Sequence, residues 1–215
     1  SWIGLIPFLN VIINQRTYRS IFKYSFLWGI TYHLVVVFWL ATNIGTTSFI
    51  AFISMVATVL ILSINTILIC LLWFKIKNTY PQYSLLLFSI LWVTIEYVRS
   101  YGLLGFPWVS LANSQTDFIY LIQNAEFVGI YGITFWILLV NIFLFDIKKY
   151  YSNKKIFCVY LAIILLPWLT GYKIYTNNID KGLDKDGLSV LLVQPNVNLF
   201  DKRNISIKNK NLDNI

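Results

Sequence analysis

The chain has 215 residues, of which 58% are hydrophobic and 12% charged, and its mean hydropathy is +0.67. Soluble domains carry about 25% charged residues, so the composition excludes an ordinary soluble fold and points to an all-α polytopic membrane helical bundle. The formal net charge of +8 sits in short stretches between apolar runs, a pattern of topology signals that excludes a nucleic-acid-binding face.

The first residue is Ser1, and no charged segment precedes the first apolar run. No signal peptide is read, and the chain reads as a piece that begins inside a larger protein. Trp2 to Asn14 is apolar but too short to cross a bilayer, which takes about 20 residues; it is a truncated helix end or an interfacial piece. Arg16, Arg19 and Lys23 follow, then a full span from Tyr24 to Thr42 that holds the only histidine, His33. Gly45 marks a turn. Phe49 to Phe74 forms the next span, closed by Lys75 and Lys77, and Pro81 marks the loop before a third, Tyr83 to Tyr101.

Glu96 and Arg99 lie near the far end of that third span. Gly102, Gly105 and Pro107 then break the helix, and residues 102–124 read as a polar, aromatic-rich loop rather than a span. Ala125 to Ile147 spans back, and Lys148, Lys149, Lys154 and Lys155 bracket a short loop. Ile156 to Tyr172 spans again, with a kink expected at Pro167. Arg16, Arg19, Lys23, Lys75, Lys77 and these four lysines fall on one side if the helices alternate, whereas residues 43–48 and 102–124 carry no Lys or Arg. The central loop and everything after Tyr172 are therefore expected outside the cytoplasm.

The domain reading follows. Residues 1–175 form a transmembrane domain of about five full spans plus a partial first one, and residues 176–187 form a linker. Residues 188–215 begin a soluble α/β domain that is cut off. There, Leu188 to Val193 reads as a buried strand closed by Gln194 and Pro195. Ile205, Ile207, Leu212 and Ile215 are weakly periodic, as at the start of an amphipathic helix. One strand and part of a helix cannot bury a core.

Charges inside apolar helices are costly and are functional-site candidates. Glu96 and Arg99 share a helix face at i, i+3 and can form an ion pair; the structural reading is a bridge that anchors the loop. The functional reading gives Arg99 a phospholipid headgroup, since a guanidinium suits phosphate. Phe106, Pro107 and Trp108 are candidates to wall an acyl-chain or headgroup cavity, or to belong to an aromatic belt. Gln115 is a candidate substrate contact, or with Asn113, Ser114 and Gln123 a loop hydrogen-bonder. Glu126 suits the positive N-terminal end of the next helix. Gly129 and Gly132 read as a helix-packing surface. His33 reads as a hydrogen-bonded interior residue. Cys70 and Cys158 lie inside apolar segments, with no disulfide framework or metal spacing, and no cofactor motif is present.

Several ordered motifs carry a resemblance: Trp92, Glu96 and Arg99 as W-x3-E-x2-R, then Gly105 to Trp108 (GFPW), Asn113 to Gln115 (NSQ), and Gly129 to Phe135 (G-x-YG-x-x-F). In this order they resemble the apolipoprotein N-acyltransferases, integral membrane enzymes of bacterial lipoprotein maturation. Trp28 to Leu40 resembles the family's early helix, and Val190 to Val197 (VLLVQPNV) its first nitrilase-like strand, with Lys202 following at the usual distance. Many members have Gly-Tyr where this chain has Ala112 and Asn113.

The resemblance implies transfer of an acyl chain from a phospholipid, through a cysteine thioester, to the N-terminal diacylglyceryl-cysteine of a lipoprotein in the bacterial inner membrane. The implied partners are the phospholipid donor, the lipoprotein acceptor and the bilayer. The family's Glu-Lys-Cys triad lies beyond Ile215, so no catalytic residue is carried over and these residues alone are expected to be inactive. Two alternatives stand beside this reading: a small transporter using Glu96, Arg99 and His33 along one water-accessible path, and a non-catalytic membrane scaffold.

Overall fold

The computed structural model describes residues 1–101, 105–147, 154–181 and 190–194. Seven α-helices are present among them: α1 (Ile6–Ile13), α2 (Tyr18–Val37), α3 (Ser48–Thr79), α4 (Ser84–Arg99), α5 (Ile119–Ile122), α6 (Ala125–Phe145) and α7 (Lys154–Lys181). A 3-10 turn, Phe38–Thr42, prolongs α2. Four helical stretches are long and apolar enough to cross a membrane: Tyr18–Thr42, Ser48–Thr79, Ala125–Phe145 and Lys154–Asn177. The chain is a helical, multi-pass membrane protein.

Helix ends are set by local chemistry that hydropathy does not register. Thr17 accepts the Ser20 amide at 3.2 Å and starts α2 ahead of the apolar run, so Arg19 and Lys23 lie on its first turns instead of in a loop. Thr47 caps α3 in the same way. Helix α3 continues through Lys75 and Lys77, and the Lys77 ammonium donates to the carbonyls of Ile13 and Gln15. It thereby meets carbonyls at the C-terminal end of α1 that helices leave without partners. Helix α4 stops after 16 residues, about 24 Å of rise, short of the ~30 Å hydrocarbon thickness. Helix α7 runs on to Lys181, so the first part of the expected linker is helical.

Helices α2 and α3 pack most extensively. A Cβ on Gly29 would sit 3.3 Å from the Ser63 backbone, so the close small-residue approach falls here. Gly129 and Gly132 were expected to provide such a seam, and they do something else. Gly129 has φ +62 and ψ −179 and interrupts α6, a conformation that glycine adopts at little cost. No atom lies within 4 Å of where its Cβ would be. A Cβ on Gly132 would meet Val128 of the same helix. The two glycines shape a bend in α6.

The core gathers Trp73, Phe88, Ile137 and Leu138 with Phe8, Leu9 and Ile12 of α1. Phe8 stacks on Trp28 at 4.4 Å, and Asn141 of α6 accepts the Leu5 amide at 3.0 Å, holding the start of α1. On the other flank α7 meets α5 so closely that a Cβ on Gly171 would collide with the Tyr120 carbonyl. Pro167 lies inside α7 and cannot donate to the Ile163 carbonyl four residues back. The Trp136 indole of α6 donates to that carbonyl instead, at 2.8 Å.

Over its described residues, Val190 to Val193, the expected buried strand is not seen. Val190 to Gln194 have no regular structure, and Leu191 and Leu192 are 87% and 91% exposed. No strand occurs among the described residues to pair with their backbone groups, and an unpaired strand is not stable. Leu188 and the periodic residues Ile205 to Ile215 lie outside the described residues, as does the short loop at 148–153.

Replacing Trp136 with Phe should strip the Ile163 carbonyl of its partner and lower stability by about 1–3 kcal/mol. In a Pro167→Ala background the residue-167 amide returns to that carbonyl, and the same replacement should cost clearly less. Thermal unfolding in detergent of the two single variants and the double variant checks this; equal costs in both backgrounds would contradict the compensation.

Candidate functional site

Helix α4 delivers Glu96 to the interior, 4% exposed. A carboxylate removed from water must be met by hydrogen-bond donors or a charge. Four donors meet this one. Oε1 accepts the Trp92 indole at 3.0 Å and the Leu111 amide at 3.1 Å, and Oε2 accepts the Ser110 hydroxyl at 2.8 Å and the Thr134 hydroxyl at 3.0 Å. Ser110 and Thr134 also lie 2.9 Å apart. Each hydroxyl has a single hydrogen, so two of these three hydroxyl contacts are hydrogen bonds at any moment. Thr134 in turn accepts the Ala112 amide at 3.3 Å.

These bonds fold the segment after α4. The Phe106 amide reaches back to the Arg99 carbonyl at 3.2 Å, and two 3-10 turns follow, Pro107–Val109 and Leu111–Gln115. Asn113 donates to the Trp108 carbonyl at 2.8 Å. Irregular backbone next to such a short helix is stable at membrane depth only when its polar groups are met inside the protein. The Glu96 carboxylate does this for Ser110 and Leu111.

Glu96 does not pair with Arg99. The i, i+3 spacing permits the pair, but donors from four other positions use the carboxylate oxygens. Arg99 is half-buried, and its Nε and Nη2 are buried with no hydrogen-bond partner. Glu96, Tyr32 and Tyr131 lie within electrostatic range of it. Buried donors without acceptors are rare in native proteins and call for an explanation. A planar guanidinium in this condition is suited to the oxygens of a carboxylate or phosphate.

The other candidates separate. Trp108 is 66% exposed, stacking on Trp39 at 5.8 Å, with Phe106 at 6.4 Å on the same aromatic ledge. Pro107 and Trp108 line an open cleft of about 320 Å³ with Asn113 and Ile130. Gln115 goes to the core, 1% exposed, where its carbonyl accepts the Trp2 indole at 2.6 Å and its amide donates to Ser1 and Ser114. Its hydrogen-bonding capacity is spent inside the protein, so it ties the loop to the N-terminal segment. His33 is buried with Nδ1 2.7 Å from the Gly29 carbonyl. Glu126 lies in the first turn of α6 and is exposed. Cys70 is buried and Cys158 exposed, both as free thiols.

Ser110 and Thr134 are the site residues that sequence reasoning missed, and Trp92 was noted in a motif without the role of a Glu96 donor. Trp92 stands four residues before Glu96, on its helix face, and was legible in principle. Ser110 and Thr134 are 14 and 38 residues away with no spacing to announce them.

Comparison with known proteins adds an independent observation. Residues 1–143 match the family described as the apolipoprotein N-acyltransferase N-terminal domain. The chain is 26% identical over 211 residues to the apolipoprotein N-acyltransferase of Chlorobaculum tepidum, covering 94% of this chain and 37% of that protein. It is 26% identical over 205 residues to that of Geobacter metallireducens, covering 92% and 39%. Over 227 residues it is 26% identical to apolipoprotein N-acyltransferase 1 of Treponema denticola, covering 84% and 39%. The chain thus spans less than two-fifths of the length of these relatives. No solved structure matches it significantly.

Glu96→Leu should leave the Trp92 and Leu111 donors buried without acceptors, a loss of roughly 1–3 kcal/mol for each, and should release residues 105–115 to proteolysis. Glu96→Gln keeps a carbonyl for those two donors and offers an amide to hydroxyls able to accept, so it should stay close to the parent protein. Limited proteolysis with thermal unfolding separates the two variants. A Gln variant as labile as the Leu variant would show that the charge itself is required.

Proposed function

The chain belongs to the apolipoprotein N-acyltransferase family, and on that premise we infer that it forms the membrane part of an enzyme that acylates bacterial lipoproteins. In this reading a phospholipid donates an acyl chain to a cysteine thiolate as a thioester. The N-terminal amine of a diacylglyceryl-cysteine lipoprotein then takes it as an amide. The Glu, Lys and Cys that run this chemistry lie outside these 215 residues, which bind and orient lipid and do not catalyse transfer alone. The protein resides in the bacterial inner membrane, with the 105–115 loop on the periplasmic side, as the distribution of Lys and Arg supports.

The observation that carries the reading is the Arg99 guanidinium, with two buried nitrogens lacking acceptors beside a loop held by the Glu96 carboxylate. Arg99 takes the phosphate of the donor lipid, and Phe106, Pro107 and Trp108 form the apolar ledge beside it. The transporter alternative needs Glu96, Arg99 and His33 open to one aqueous path. It is weakened by the burial of Glu96 and His33 and by the internal hydrogen bonds both make.

The test is steady-state kinetics of the longer protein that carries this chain. Hydrogen bonds to charged groups contribute about 1.5–3 kcal/mol, so Arg99→Ala should raise KM for the phospholipid donor by roughly ten- to a hundredfold. KM for the lipoprotein acceptor should change little. An unchanged donor KM would remove Arg99 from the donor site. Residues 1–215 alone should give no transfer.

A further inference from the structure

A cavity of about 520 Å³ lies between α5, α6 and α7, within the size range of small-ligand sites. The interruption at Gly129 falls within its α6 wall. Phe127 and Val128 line it from before the break and Ile133 and Trp136 from after it, while Leu166 and Pro167 close it from α7. Phe127, Val128 and Leu166 are exposed, so the cavity opens sideways, onto a face of the candidate spans α6 and α7 that bilayer lipid would cover.

Lys173 is the charged residue in the lining, and no acidic side chain lines the cavity among the described residues. It is exposed and has no ion-pair partner among them. Asn124 and Thr170 also reach the rim, but Thr170 donates to the Asn124 side-chain oxygen Oδ1 at 2.7 Å and the Asn124 side-chain amide to the Pro167 backbone carbonyl at 2.7 Å. The Lys173 ammonium is therefore the open donor. Its height is informative as well. From Lys154 to Lys173 the helix rises about 28 Å, close to one hydrocarbon thickness. Lys154 is accounted for as a topology signal on one side of the membrane; Lys173, at the opposite headgroup level, is not.

An apolar slot beneath an unpaired cation at headgroup height fits one occupant by charge and polarity. We propose that the α5–α6–α7 cavity holds one anionic phospholipid, with a tail against Phe127, Ile133, Trp136 and Leu166 and the phosphate on Lys173. This lipid is resident rather than reacting. Neither Arg99 nor any residue of the Glu96 network lines the cavity, and the proposal does not rest on the acyl-transfer reading. It also serves the fold: only 6% of the apolar window of α7 is buried against the rest of the protein, so a lipid seated here adds contact along that seam.

Native mass spectrometry of the membrane-extracted protein, titrated with phosphatidylglycerol or with zwitterionic phosphatidylcholine of the same chains, tests the site. One phosphatidylglycerol per chain should persist where phosphatidylcholine is lost. Lys173→Gln should weaken retention about fivefold, the effect of one cation near an anionic lipid. Leu166→Trp, which fills the slot, should abolish retention while thermal unfolding shows that the variant remains folded. Arg99→Ala should leave retention unchanged. Equal retention by the parent, Lys173→Gln and Leu166→Trp proteins would mean annular lipid only and would overturn the proposal. Loss on Arg99→Ala alone would move the lipid to the Arg99 site and overturn it equally, whereas retention unaffected by Arg99→Ala leaves this site standing even if the donor reading fails.

Discussion

A carboxylate inside an apolar bundle has to be answered, and most of the arrangement around α4 follows from how Glu96 is answered. Its four donors come from its own helix, from the segment that follows, and from α6. No direct ion pair is formed, although Arg99 lies within electrostatic range. Neutral donors fix direction more tightly than an ion pair would, because each oxygen sits between two hydrogens of defined geometry. The same choice leaves Arg99 without the neighbour that helix spacing offers it, and so leaves a cation with unmet hydrogen-bonding capacity. Committing the negative charge to structure is what frees the positive one for another partner.

The same rule governs the backbone. At several departures from regular helix among the described residues, a side chain from another element supplies what is missing. Trp136 serves the carbonyl orphaned by Pro167, Asn141 serves the Leu5 amide, and Lys77 serves the end of α1. In water such groups would be hydrated at little cost; in lipid each costs free energy unless it is met inside the protein. Helix breaks in this bundle are therefore also points of contact between helices.

The membrane-crossing helices were legible because an apolar run of spanning length has few other readings. Their ends were less so: α2 begins at a threonine cap ahead of its basic residues, and α7 runs on past Tyr172, and neither event registers in hydropathy. At the site, Glu96 and Arg99 stood out as charges in an apolar helix, but their pairing could not be read. The competing acceptors and donors, Ser110 and Thr134, are brought in by tertiary structure. Gly129 and Gly132 showed the small-residue pattern that marks helix contacts, and nothing in that pattern reveals a positive φ. The close approaches that do occur, Gly29 against Ser63 and Gly171 against Tyr120, each involve a single glycine outside that pattern. The run at Val190 has the composition of a strand, yet composition cannot supply the neighbouring strand that would complete it.

The origin of the Glu96 donors bears on how the bundle is put together in a cell. Helix α4 precedes α6 in the chain, so until α6 packs beside it the Thr134 hydroxyl is not in place. Before that the carboxylate has Trp92 from its own helix and Ser110 and Leu111 from the segment that follows, one donor short of its full set. Helix α4 is also the short one. It is thus poorly suited to settle in the bilayer on its own, and its final position waits on α6. The donor set of Glu96 is complete only when the second helix is in place.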